Sequence, residues 1–123
     1  MAPRRARGRG GSGQAPGSEY RDADDNSIVL RSSLSHGTRS SYARILSGEE
    51  LPPGATREDA WHRAFEFLFE RLAQSWTIAG AEPLSSQQEL LGRLRFASSA
   101  ERAWLRDCLR RHCAEYFPDV QAP

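Results

Sequence analysis

Lysine is absent from this chain: all 17 basic residues are arginine. Together with the abundant Ala and Gly, that uniformity points to a GC-rich coding sequence. A single arginine is therefore no argument by itself for bidentate phosphate recognition. Long apolar runs are missing too. No stretch approaches the ~20 consecutive apolar residues that span a bilayer, and the basic first residues lead into no apolar segment of a secretory signal. The expected location is the cytoplasm, with no membrane partner. Cysteine is scarce, with Cys108 and Cys113 alone. Five positions apart on a helix they diverge by about 140°, poor geometry for a disulfide, so reduced thiols inside the cell are expected.

Catalytic signatures are also lacking. There is no Gly-rich phosphate loop, nucleophile elbow, HExxH or paired-carboxylate arrangement. Gly8-Arg9-Gly10-Gly11 does not lie between a strand and a helix. Cys108 and His112, four apart, share one helix face, but a structural zinc needs four ligands. Cys113, His36 and His62 stand at no ligand-type spacing. A Cys–His nucleophile pair would lack an orienting acid. No cofactor and no metal are expected, and the chain reads as non-enzymatic. A small enzyme would need His36, His62 or His112 to meet a carboxylate in a cleft.

What is present is a chain of 123 residues with a net charge of +1. Residues 1–26 are Gly/Arg-rich and then acidic, and contain too little apolar surface to offset the entropy of ordering. They are expected to be a disordered tail, followed by a helical domain over residues 27–118 and a flexible end over 119–123. Arg and acidic residues balance within 27–80 and again within 81–123, so the domain carries no broad electrostatic footprint for nucleic acid. Ile28-Val29-Leu30 is β-prone, but no partner strand is evident, and an extended segment or first helical turn is expected there.

The longest apolar-periodic run is 60–76. Trp61, Ala64, Phe65, Leu68, Leu72 and Trp76 recur at three- and four-residue steps, one face of a helix. Thr56 with Asp59 approximates a capping box at its start, and Gly80 marks its end. A shorter helix is expected from Thr38 or Ser40 to Gly48. A further one starts at Ser85 with Gln88 or at Ser86 with Glu89, and the last runs from Ser98 with Glu101 to about Phe117. Between the first two of these four helices, Pro52-Pro53 excludes helix and stiffens the connection. The fold class expected is all-α, a small three- to four-helix bundle behind a disordered N-terminal tail.

Two surfaces stand out for function. Phe67 projects about 200° from Phe65, onto the polar side near Arg71. It is either covered by another segment of the chain or exposed to a partner. Arg102, Arg106 and Arg110 form a ridge along the last helix. Phe67, Arg71, Arg102, Arg106 and Arg110 are the candidate partner-binding residues of a non-catalytic interaction or regulatory protein, which presents a helical surface to a protein partner or to itself. The alternative is a nucleic-acid-binding regulator. It would use the last two helices as a helix-turn-helix with Arg93 and Arg95, aided by Arg4, Arg5, Arg7 and Arg9.

Overall fold

The structure, a computed structural model, describes residues 17–123. The Arg4, Arg5, Arg7 and Arg9 cluster, with most of the expected tail, lies outside the described residues. Chain order is β1 (Gly17–Arg21), β2 (Ser27–Arg31), α1 (His36–Ser47), α2 (Arg57–Leu72), β3 (Ala73–Thr77), α3 (Gln87–Arg95) and α4 (Ser99–Tyr116). The three strands form one antiparallel sheet in the order β1-β2-β3. The fold is therefore α+β, which corrects the all-α expectation.

The first element that the sequence reading missed is the β1–β2 hairpin, in which Tyr20 opposes Ile28 and Ser18 opposes Leu30. Its turn is made by the acids expected to solvate a tail. The Asp22 carboxylate accepts from the amides of Asp24 and Asn26 at 2.8 and 3.0 Å and from the Asn26 side chain at 2.8 Å. These bonds, above all the one from the Asn26 side chain, hold the Asp22 carboxyl below its usual range. Asp25 takes a left-handed conformation, φ 61°, which Asp tolerates better than most residues. Residues 17–26 are thus strand and turn, because their acids form local hydrogen bonds instead of a solvated charge run.

The second is β3. The helix expected to reach Trp76 ends at Leu72, and the next five residues form a strand along β2, with Thr77, Trp76 and Ser75 opposite Ser27, Ile28 and Val29 and, past a bulge, Ala73 opposite Leu30. Leu72 and Trp76 are four apart. That step returns to the same side on a helix, and in the strand Ala73 and Trp76 share the buried face, three positions apart, because a bulge interrupts the alternation between them. Burial pattern alone does not separate the two, whereas a partner strand does. Trp76 also exchanges two backbone bonds of 2.9 Å with Leu84, which covers part of the β3 edge. Beyond β3, Gly80 adopts φ 72° and donates its amide to the Asp25 carbonyl at 2.9 Å, while Ala79 donates to the Asn26 side chain at 2.9 Å. Gly80 thus ties the chain to the hairpin turn.

The helix starts follow local chemistry. Reciprocal capping boxes join Thr56 with Asp59, Ser86 with Glu89, and Ser98 with Glu101. Ser35 caps α1, which closes at Gly48 with φ 80°. Glu101 has a second role, since its carboxylate accepts from Arg93 Nη2 at 2.6 Å and so braces the α3–α4 corner. Ser98→Ala is expected to destabilise the domain by about 1 kcal/mol, the usual cost of a lost N-cap. The urea midpoint would measure this, and an unchanged midpoint would show that the cap is replaced by water.

The core gathers Ile28, Leu30 and Trp76 from one face of the sheet with Phe65, Leu68, Phe69 and Leu72 of α2, and with leucines of α3 and α4. His112 fastens α4 to the sheet. It is fully buried, its Nε2–H donates to the Arg31 carbonyl at 2.6 Å, and its Nδ1 accepts from the Tyr20 hydroxyl at 2.8 Å. Residues 119–123, expected to be a flexible end, are held instead. Val120 is buried, Asp119 pairs with Arg39 at 3.1 Å, and the Gln121 carbonyl and the main-chain oxygen of Pro123 accept from Tyr42 and Arg110 respectively. Among the described residues no helix is long and apolar enough to cross a membrane.

Candidate interaction groove

The expected arginine ridge lies in a concave site. An open groove of about 1290 Å³ runs between the first half of α2, the Leu51–Ala55 loop that leads into it, and the Arg102–Arg110 edge of α4. The stiff Pro52-Pro53 connection forms part of the wall, and Gln121, Ala122 and Pro123 form another part. Ala60 and Phe65 lie on its α2 side and are buried, whereas Trp61 is 48% exposed. The periodicity of α2 places Trp61 on the buried stripe. In the structure it sits at the N-terminal end of that stripe, where the groove leaves it open to water.

Each arginine of the ridge is steadied by one contact. Arg102 Nη2 donates to the Leu94 carbonyl at 3.0 Å, Arg106 lies over the Phe65 ring with its guanidinium carbon 5.9 Å from the centroid, and Arg110 Nε donates to the main-chain oxygen of Pro123 at 2.8 Å. Neither partner of Arg102 and Arg106 is a carboxylate, and Arg110 is held by the main-chain oxygen of Pro123, the last residue of the chain. The described residues contain five ion pairs, Arg21–Glu19, Arg39–Asp119, Arg44–Glu50, Arg93–Glu101 and Arg111–Asp107, and all lie outside the groove. Arg57, at the start of α2, is a fourth arginine on the wall, against one acid, Glu58.

The other sequence candidates are placed elsewhere. Phe67 is half-buried against the core, with Arg71 stacked on it at 5.0 Å from its centroid, and neither residue lines the groove. The two expected partner surfaces are therefore separate. Arg93 is engaged between Glu101 and the Trp76 ring. Arg95 is exposed beside Phe96, which is 88% exposed at the end of α3. The helix-turn-helix alternative needs a protruding recognition helix, but the α4 ridge faces a groove shared with α2.

The histidines do not converge. His112 meets a hydroxyl and a carbonyl rather than a carboxylate, His62 is on the groove wall, and His36 is on a second, smaller hollow beside α1. Burial pushes the Cys108 and Cys113 thiols up to about 11, away from the reactive thiolate form. Among the described residues no three His, Cys, Asp or Glu side chains gather as a metal site requires. Comparison with protein-family models, with curated proteins and with solved structures finds no match. The groove is thus interpreted from its own geometry.

Sequence reasoning found the ridge from its four-residue period but missed Trp61 and the role of the 51–55 loop. The available signal was the position of Trp61 in the first turns of a helix entered through a Pro-Pro loop, where neighbouring helices are least able to cover it.

Proposed function

We propose that this chain is a small, non-catalytic interaction protein of the cytoplasm whose α2–α4 groove receives a protein partner or a second copy of itself. One observation carries the reading: a half-exposed Trp61 shares a groove with Arg110 and with Arg102 and Arg106, and neither of these last two has a carboxylate partner among the described residues. Aromatic and arginine side chains concentrate binding energy at protein interfaces, and both are enriched there. Two buried, reduced thiols support a reducing compartment. The structural use of His112 supports a non-catalytic role.

A photo-crosslinker placed at position 61 in the native host tests this. A discrete crosslinked band is expected, to be lost when Arg106→Glu is added and absent when the crosslinker sits at position 67. Equal crosslinking from 61 and 67, or none from 61, would overturn the reading.

A second reading draws on the same Trp61. An aromatic side chain beside a row of arginines is also how single-stranded nucleic acid is stacked and neutralised. That reading requires affinity that falls steeply with salt and weakens when residues 1–13 are removed.

A further inference from the structure

The groove specifies its occupant by charge and by repeat distance. We infer that it takes an acidic polypeptide segment with carboxylates spaced about 6 Å apart and apolar side chains alongside them. This rests on reading the groove as the interaction site.

The first argument is complementarity. Arg57, Arg102 and Arg106 face the groove against the single acidic side chain of Glu58, while Arg110 on the same wall is held by the main-chain oxygen of Pro123, and the five side-chain ion pairs among the described residues form elsewhere. Guanidinium groups already steadied by a carbonyl or a ring lose little further freedom on gaining a carboxylate. The second argument is the field of the whole domain. Residues 17–123 contain 13 arginines and 16 acids, a net charge of −3. Such a domain does not draw in a long polyanion from a distance, as nucleic-acid binders do. Its positive charge acts only at short range, inside the groove, which suits carboxylates delivered on a folded or folding protein segment.

The third argument is the apolar lining. Leu46, Leu51, Ala60 and Phe65 contribute aliphatic and ring surface, and among the Trp, Tyr and Phe side chains of the wall Trp61 alone is exposed, with the small imidazole of His62 as the other exposed ring. A strand of successive bases requires a series of stacking platforms, whereas an amphipathic peptide needs apolar surface with an aromatic anchor. The fourth is size. About 1290 Å³ of open groove exceeds the roughly 300–1,000 Å³ of typical small-molecule pockets. Finally, both walls repeat at a four-residue step, Trp61 to Phe65 and Arg102 to Arg106 to Arg110, about 6 Å along each axis. Acids at four-residue steps on a helix match this spacing, and alternate residues of a strand, at about 6.7 Å, come close to it.

The test is fluorescence anisotropy of the full chain with three labelled probes. They are a peptide of about 15 residues with Glu and Leu at four-residue steps, the same peptide with Gln for every Glu, and oligo(dT) of similar length. The Glu peptide is expected to bind, the Gln peptide to bind about tenfold more weakly, and Arg102→Gln/Arg106→Gln to lose about tenfold in affinity for the Glu peptide. Because Arg102 and Arg106 also hold Leu94 and cover Phe65, Arg102→Lys/Arg106→Lys provides a second check. It retains charge and is expected to keep more of the binding than the Gln pair, at an unshifted melting temperature. Equal binding of the two peptides, no binding of the Glu peptide, or tighter binding of oligo(dT) would overturn the inference. If the position-61 crosslink persists while the Glu peptide fails, the groove stands as the interaction site and only its partner chemistry falls. Absence of that crosslink removes the groove itself.

Discussion

Trp76→Ala is expected to remove about 3–5 kcal/mol of stability, the usual cost of truncating a buried Trp. That is a large share of the roughly 5–15 kcal/mol available to a domain of this size. Trp76 is buried to 1% exposure in the sheet face, packs edge-on against Phe69 at 5.7 Å between centroids, and carries the Arg93 guanidinium over its ring at 5.3 Å. Its side chain therefore joins β3, α2 and α3. Alanine would leave a cavity that these rigid elements collapse into only partly. It would also free Arg93, whose remaining partner is Glu101. Urea denaturation measures the effect, with Trp61 and Trp104 left as reporters. A loss below about 1 kcal/mol would mean that Trp76 does not sit in this core, and the assignment of β3 would fall with it.

The second large effect concerns His112 and carries a pH signature. His112→Ala is expected to cost about 3–4 kcal/mol, because it opens a cavity and leaves both the Arg31 carbonyl and the Tyr20 hydroxyl without a partner. His112→Phe retains ring volume beside Tyr116 and Phe117 and is expected to cost about 1–3 kcal/mol, mainly the unpaired carbonyl. Burial holds the imidazole below its ordinary value of 6.5, opposed by the weaker effects of the Arg31 carbonyl and Glu115. The folded state therefore prefers the neutral ring. Its contribution to stability is complete above about pH 6.5 and declines as the pH falls through the lower folded value. Protonation would turn the Tyr20 hydroxyl round to accept and place a charge in a dry site. The wild-type urea midpoint should thus drop between pH 7 and pH 5, and the Phe variant should lose that part of the slope. Equal slopes in the two proteins would show that His112 does not titrate against folding. The depressed carboxyls of Asp22, Asp59 and Glu101 act below their ordinary values near 4, outside this window.

Some of the groove was legible in one dimension. The four-residue recurrence of Arg102, Arg106 and Arg110 is a property of an α-helix alone, and any helix over 99–116 aligns them. Which element faces them is not a local property. Phe65 and Phe67 are both aromatic, on opposite sides of α2; Phe67 meets Arg71 four residues on along the same helix, a local pairing, whereas only the placement of α4 decides that Phe65 lies under Arg106.

The sequence by itself determined the starts of α2 and α4 and narrowed that of α3 to Ser85 or Ser86, whereas α1, expected from Thr38 or Ser40, starts at His36 under a Ser35 cap. Thr56 with Asp59, Ser86 with Glu89, and Ser98 with Glu101 each satisfy free amides within four residues, so distant contacts are not needed to choose them. It likewise determined the end of α1 at Gly48, the one residue there that adopts φ 80° without strain. The sheet was decided by tertiary structure. A strand completes its hydrogen bonds only with a partner, and the partner of Ile28-Val29-Leu30 lies some 45 residues further on, at Ala73–Trp76, behind two helices. Composition disguised β1 because its turn is built from the same acids that mark a disordered tail, and a bulge disguised β3, because the extra residue between Ser75 and Ala73 removes the strand's alternation and leaves Leu72 and Trp76 at a helix-like four-residue step. The exposure of Trp61 is tertiary for the same reason. An apolar stripe states which side chains seek burial, and the lengths and positions of the neighbouring elements decide where that burial stops.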